Sequence, residues 1–340
     1  MNFKDYIELH RDEVYRKICE YIPIKEPEGH YKIVRDYSDR QGSYRRPGLL
    51  MLSGQLFGAG EDELILPAAA MQLSEDWILV HDDIEDHSEL RRGKPALHKL
   101  YGQELAINAG DAAHMVMWKM LKDNIKKMGM RRGGAFFDNF YRMLEYTVEG
   151  QYIEDNFIYN VRSLAAASEK LYFRIIQGKT CYYTVYGPMQ LGAIAAGMGK
   201  SELGMLKEIG MPAGMAFQIV DDILDMRADE KVFGKQRYGD LREGKLTLIM
   251  LDAYKSADAV EKKEMERIYG KRREEKSEDE IMYLAGIAEK YGSVEKALKK
   301  AEWYGAAAKQ AIERYSGQLP KNEFLDVMLT AIEELYVRKK

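Results

Sequence analysis

The chain has 340 residues, 51 Lys and Arg against 55 Asp and Glu, a formal net charge of −4, and only 8 Pro and 2 Cys. That balance leaves no broad basic surface for nucleic acid and no block of Lys and Arg long enough to serve as a tail. Cys19 and Cys181 stand far apart without metal-ligand spacing, which argues against a disulfide framework or zinc site and fits a reducing cytoplasm.

Apolar residues recur at helical rather than alternating spacing, and no Pro/Gly/Ser-rich linker interrupts the chain. The expected fold is all-α, in one domain over residues 1–340. The opening "MNFKDYIELHRDEVYRKICEYIP" is a charged amphipathic helix over 2–22, without the basic and apolar regions of a signal peptide. Helices follow at roughly 46–58, 62–85, 103–127, 134–157, 164–178, 180–198 and 202–226, then at 244–255, 259–270, 278–291, 294–315 and 321–337. The most apolar later stretch, "LGAIAAGMG" at 191–199, is too short for the about 20 residues that cross a bilayer. No transmembrane segment is predicted.

The breaks between helices carry the chemistry. "QGSYRRPG" (41–48), "ELRRGKP" (89–95) and "GKQRYGDLREGK" (234–245) are polar, glycine-bearing and basic, and the last two directly follow acidic runs. Such loops at helix ends point to function more than to packing. "YGKRREEKSEDE" (269–280) has mixed charge and no apolar period, so it reads as a solvated connector.

Two apolar runs end in the same knot of acid, "WILVHDDIED" (77–86) and "FQIVDDILD" (217–225). Each sets Asp at i, i+1 and i+4, within an arc of about 100° on a helix. Carboxylates about 5.5 Å apart repel by roughly 3 kcal/mol at an effective dielectric of about 20. On a solvated face, water and salt would screen that cost. The neighbours here, Trp77, Ile78, Leu79 and Val80, then Phe217, Ile219 and Val220, belong to buried helices instead. An all-oxygen donor set in such a setting favours a hard cation, and Mg²⁺ that keeps water and substrate phosphate is the usual case. The two triads then resemble two walls of one cavity. Arg91 and Arg92 follow the first triad, and Lys235 and Lys245 the second; guanidinium forks match phosphate oxygens bidentately.

At these residues the chain resembles the trans-type isoprenyl diphosphate synthases, and the likeness runs through nearly its whole length. "DDIEDHSELRRG" is similar to that family's first aspartate-rich motif, and "FQIVDDILD" with the later "GK" and "DLREGK" to the second. Further landmarks are "AINAGD" (106–111), "GKT" (178–180), "LGAIAAG" (191–197) and the closing "RKK". The resemblance implies a single-domain helical bundle of the isoprenoid synthase type, homodimeric, with a deep central cavity. It implies Mg²⁺, three per active site with substrate bound, held by Asp82, Asp83, Asp86, Asp221, Asp222 and Asp225. With Arg91, Lys235 and Lys245 beside it, an allylic diphosphate would ionise and isopentenyl diphosphate would attack the cation. Lys179, Thr180 and Gln218 match positions that hold the leaving group or face the cation; Thr180 and Gln218 also suit buried hydrogen-bonding roles within helices. Arg46 and Arg92 would hold the second substrate.

The acceptor half departs from the family pattern. Where the family reads GKxxRP this chain has "GSYRRP", so Ser43 replaces Lys while Arg46 fits and Arg45 adds a cation. Seven residues before Asp82 stands Glu75, where the family has His or Gln. A carboxylate beside a diphosphate repels it unless a cation pairs with it. The site is therefore rebuilt around Arg45, weakened, or made for another acceptor.

Product length in the family follows the bulk of side chains on the cavity floor. Trp77 lies five residues before Asp82, about 7.5 Å along the helix, with Ile78 beside it and Ser74 and Leu73 deeper. A floor of this kind implies a fifteen- or twenty-carbon product. Two other classes stay open: a class I terpene cyclase, which usually carries a different second metal motif, and a non-catalytic subunit, which would accommodate Ser43 and Glu75.

Overall fold

The computed structural model describes residues 1–227 and 237–336. Lys235 and the closing Arg338, Lys339 and Lys340 lie outside the described residues. The fold is all-α, apart from one two-stranded hairpin among the described residues. Backbone contacts divide the chain into two compact units, each assembled from separate stretches of sequence.

The first unit comprises Met1–Arg142, Gly187–Lys207 and Gly317–Ala331. Its first helix, α1 (Phe3–Tyr21), starts where the Asn2 side chain accepts the Asp5 N–H. Next come α2 (Glu28–Asp39), α3 (Arg45–Leu56) and α4 (Glu61–Glu85). A hairpin of β1 (Leu90–Arg91) and β2 (Lys94–Pro95) leads to α5 (Leu97–Tyr101), α6 (Gln103–Met128) and α7 (Met130–Asn156). α2 falls in a stretch that the sequence leaves as a break. It buries only Val34, Tyr37 and Ser38, a stripe too short to show a helical period.

The second unit comprises Met143–Tyr186, Glu208–Ser316 and Ile332–Lys340. After α8 (Glu169–Ile176) the chain widens into a π-helical stretch, Gln177–Tyr186, where the sequence predicts ordinary helix. Widened turns of this kind concentrate at functional sites. The chain then passes through α9 (Gly187–Ala195) of the first unit and along α10 (Lys200–Arg227). α11 (Gly239–Glu243) ends at Gly244, whose φ of 82° an L side chain rarely adopts. α12 (Leu248–Ser256) therefore starts later than predicted, at Thr247, whose hydroxyl accepts the Met250 N–H. α13 (Ala259–Tyr269), α14 (Glu278–Lys290), α15 (Ser293–Tyr315) and α16 (Glu323–Tyr336) complete the described chain.

α3 is buried on every side from Pro47 to Gly54, which marks it as an interior helix of its unit. Its partner α9 comes so near that a Cβ on Gly192 would stand 2.1 Å from the Leu50 carbonyl oxygen and 2.7 Å from the Gly54 nitrogen. Only glycine permits that approach. We expect Gly192→Ala to cost about 3 kcal/mol or more by overpacking, whereas Gly134→Ala, with nothing within 4 Å, should be neutral or mildly stabilising. Urea unfolding of both variants checks this, and equal midpoints would refute the close contact.

Candidate active site

In the first unit the acidic triad closes α4, but its three carboxylates do not share one environment. Asp83 is fully buried. Its Oδ2 accepts the Tyr37 hydroxyl at 2.5 Å, and the Arg91 Nε donates to both oxygens at 2.9 and 3.0 Å. Asp82 and Asp86 are only half-buried, and Asp82 lies 3.6 Å from the Arg91 guanidinium. Burial opposes the Arg91 charge, yet the hydrogen bond and charge of Asp83, with Asp82, more than offset it and raise the Arg91 pKa. The helical arc read from the sequence thus separates into one enclosed and two outward carboxylates.

The hairpin after α4 explains how two adjacent arginines serve different partners. Arg92 and Gly93 both have positive φ, 52° and 75°, as a two-residue hairpin turn requires. Arg40 anchors the hairpin by donating to the Arg91 and Pro95 carbonyls. While Arg91 reaches Asp83, Arg92 donates to the Tyr37 carbonyl and, at 2.9 Å, to Asp76.

Asp76 was not singled out in the sequence, and it changes the surroundings of the residues expected to hold the acceptor. It is 3% exposed and also accepts from Ser38 at 2.6 Å and Gln72 at 3.0 Å. Burial raises its pKa despite the nearby Arg92. Glu75 sits 3.1 Å from Arg46 and 3.7 Å from Arg92. Both arginines expected to meet the acceptor diphosphate are therefore engaged by internal carboxylates. Ser43 is exposed, Tyr44 is buried in the left-handed region with φ 52°, and Arg45 opens α3.

The second unit repeats the plan with different partners. Asp222 is buried, and its oxygens accept from Gln218 Nε2 and the Tyr172 hydroxyl, both at 2.8 Å. Burial pushes Asp222 up to about 7. Thr180, in the π-helical stretch, donates to Gln218 at 2.7 Å, so Thr180, Gln218 and Asp222 form one chain of hydrogen bonds. Lys179 pairs with Glu154 at 2.5 Å. A Cβ on Gly150 would stand 2.5 Å from the Lys179 nitrogen, so α7 and this stretch are in backbone contact.

Asp221 faces outward and is exposed. Asp225 turns back, accepting the Gly239 and Asp240 N–H groups at 3.0 and 3.1 Å. Burial, above all, raises the pKa of Asp225 and, with the charge of Asp225, that of Asp240. Lys245 lies 2.8 Å from Glu243 and 3.9 Å from Asp240. The connector 269–280 has a role after all: the Lys276 ammonium donates to the Leu241 and Arg242 carbonyls, both at 3.0 Å. Burial lowers its pKa to about 8. No sequence period announces that contact, because it is made by one long side chain.

Among the described residues no three metal-ligating side chains form a ready cage. The donors present are nevertheless oxygens that suit a hard cation sharing its shell with substrate phosphate. Glu75, beside Arg46 and Arg92, is the departure from the family pattern expected to bear most on the acceptor. Glu75→His should lower the Michaelis constant for isopentenyl diphosphate about tenfold, about 1.4 kcal/mol, with little change for the allylic substrate. If Arg45 has taken over the missing Lys contact, Arg45→Ala raises it. Steady-state kinetics with each substrate varied decides, and an unchanged constant in both variants removes these positions from the acceptor site.

Comparison with known proteins places this arrangement. The pattern of the polyprenyl synthetase family matches residues 27–285. A geranylgeranyl diphosphate synthase of Sulfolobus acidocaldarius is 32% identical over 299 residues, covering 88% of this chain and 87% of that protein. A geranylfarnesyl diphosphate synthase of Aeropyrum pernix is 33% identical, covering 86% and 90%. The crystal structure of a geranylgeranyl pyrophosphate synthetase from Pyrococcus horikoshii matches with a TM-score of 0.86 at 29% identity, over 99% of this chain and 98% of that one. These relatives are chain-building synthases, and neither the cyclase nor the non-catalytic reading gains support from them. The chain belongs to the polyprenyl synthetase family, among the short-chain trans-type isoprenyl diphosphate synthases.

Proposed function

We propose that this prenyltransferase joins an allylic diphosphate to isopentenyl diphosphate and releases a fifteen- or twenty-carbon diphosphate. The observation that carries the reading is the shared plan of the two acidic motifs, in which the second aspartate is enclosed by a tyrosine from another helix while at least one other carboxylate faces outward. Asp82, Asp86 and Asp221 are the metal-facing groups. Asp83, Asp222 and Asp225 hold the frame through Tyr37 and Arg91, through Tyr172 and Gln218, and through the start of α11. Asp82, Asp86 and Asp221 would hold Mg²⁺, at three ions per active site with substrate bound, and the metal would supply the charge neutralisation that makes the diphosphate a leaving group.

The chain's own residues do the rest. Arg91, Lys179 and Lys245 supply fixed positive charge, each already beside a carboxylate that sets its position. Thr180 and Gln218 present hydrogen-bonding oxygens to the developing allylic cation. The carbon–oxygen bond breaks, the isopentenyl double bond forms the new carbon–carbon bond, and the proton goes to the departing diphosphate. Arg46 and Arg92 orient the acceptor. The family match over 27–285 draws on both compact units, which supports reading the chain as one functional domain.

The assay is purified protein with Mg²⁺, dimethylallyl diphosphate and isopentenyl diphosphate, read by product length. Asp82→Ala and Asp221→Ala should each lower turnover by about 10²-fold or more, with the fold retained. Near-normal turnover of both variants at saturating Mg²⁺ would falsify the metal reading.

A homodimer belongs to the same proposal. Leu105, Ile107, Met115 and Tyr141, on α6 and α7, are 51, 40, 68 and 51% exposed, an apolar set that suits cover by a second copy. Sedimentation equilibrium should give a dimer, and Met115→Glu should shift it toward monomer; a monomeric parent protein overturns this. No described helix is long and apolar enough to cross a membrane. The thiols of Cys19 and Cys181 are free, which supports a cytoplasmic location, and cell fractionation tests it.

A further inference from the structure

The short helix α11 links the second acidic motif to Lys245, and both of its ends are fastened. At its start the Asp225 carboxylate accepts the Gly239 and Asp240 N–H groups. At its end the Asp240 carbonyl accepts the Gly244 and Lys245 N–H groups, both at 2.9 Å, and the chain turns back through the left-handed Gly244. The last carbonyls of a helix have no partner within it. Here those of Leu241 and Arg242 come next, and one ammonium, that of Lys276, takes both at 3.0 Å.

The stretch 269–280 supplies more than that ammonium. The hydroxyl of the buried Tyr269 donates to the Lys245 carbonyl at 3.2 Å, and the Lys276 ammonium lies 5.5 Å from the centre of the same ring. Glu243 stands between the Lys245 ammonium, at 2.8 Å, and the Arg273 guanidinium, at 2.9 Å. A Cβ on Gly244 would stand 2.9 Å from the Lys276 nitrogen. The ammonium is thus seated directly against the turn that delivers Lys245. Burial and the charges of Arg273 and Arg162 oppose a cation there, while Glu243 and Glu280 favour it. Charge-assisted bonds to main-chain carbonyls, strengthened where water is partly excluded, hold it in place.

We propose that Lys276 is a positioning residue for the allylic half of the site, fixing the end of α11 so that the Lys245 ammonium is held toward the leaving diphosphate. This rests on the proposed role of Lys245 beside that diphosphate. A lysine on a loose turn must be ordered as the carbon–oxygen bond breaks, whereas one whose main chain is already tied offers its charge without that cost. Lys276 gives its own hydrogen bonds to main-chain oxygens, so its effect passes through Lys245.

The test is a double-mutant cycle in the full-length enzyme, read by steady-state kinetics with each substrate varied. Lys276→Met keeps the aliphatic stem and loses the donors. It should lower kcat/KM for the allylic diphosphate about tenfold and leave the Michaelis constant for isopentenyl diphosphate within about twofold. Tyr269→Phe, which keeps the ring and loses the bond to Lys245, should give a loss of about threefold in the same direction. In a Lys245→Gln background neither change should cost more than about a further twofold, because the group they position is gone. A loss caused by damage to the fold would persist there in full, and that outcome overturns the positioning. So does a normal allylic kcat/KM in folded Lys276→Met. If Lys276→Met does not fold, Tyr269→Phe decides, and an unchanged allylic kcat/KM then counts against the proposal. A loss in Lys245→Gln with silent Lys276→Met overturns the positioning alone, whereas near-normal kinetics of Lys245→Gln overturn the role of Lys245 and the positioning together.

Discussion

The buried carboxylate of Asp83 is the point on which the first half of the site depends. It takes the Tyr37 hydroxyl from α2 and the Arg91 guanidinium from the hairpin, while the same hydroxyl accepts the Leu97 N–H at the start of α5. Four elements meet at one charge. A buried ion pair contributes little net stability, but removing one partner leaves an uncompensated charge that costs about 3–5 kcal/mol. The value of this one lies in geometry. With Asp83 fixed inward, the rest of the last turn of α4 must present Asp82 and Asp86 outward.

The second motif reaches the same end without a cation. Tyr172 and Gln218 satisfy Asp222, while burial above all, with the charges of Asp221 and Glu154, pushes its pKa toward neutrality. Both motifs thus use a tyrosine from another helix to hold the second aspartate of the series. Repulsion within each triad is eased by moving one carboxylate in the first, and two in the second, into hydrogen bonds, not by spreading the three along the helix. The oxygens proposed to face the metal are then few and fixed, which suits a cation that must keep room for phosphate.

Much of this was legible from residue types and spacing. The all-α fold followed from apolar period, and the acidic knots with their basic sequels were visible as motifs. The helical arc could place three aspartates on one side but could not say which would be enclosed. That depended on Tyr37 and Tyr172, which lie 46 and 50 residues away in the chain and carry no local signal. α2 was missed because its buried stripe is one turn long, and the π-helical stretch because its residues have ordinary helical periodicity. Asp76 was hidden beside the better-known position of Glu75. Lys276 was hidden in a run of mixed charge whose neighbours do face solvent.

On the proposed role of Arg46 and Arg92 in holding the acceptor, their pairing with Glu75 and Asp76 would make anion recognition an exchange reaction. An incoming diphosphate does not meet bare guanidinium groups; it competes with carboxylates already seated on them. Its binding energy is the difference between two similar ion pairs, so small changes in their geometry are felt as large relative changes in affinity. Specificity of this kind is also self-limiting. An anion too weak to displace a carboxylate would leave these internal pairs closed and meet two guanidinium groups already neutralised.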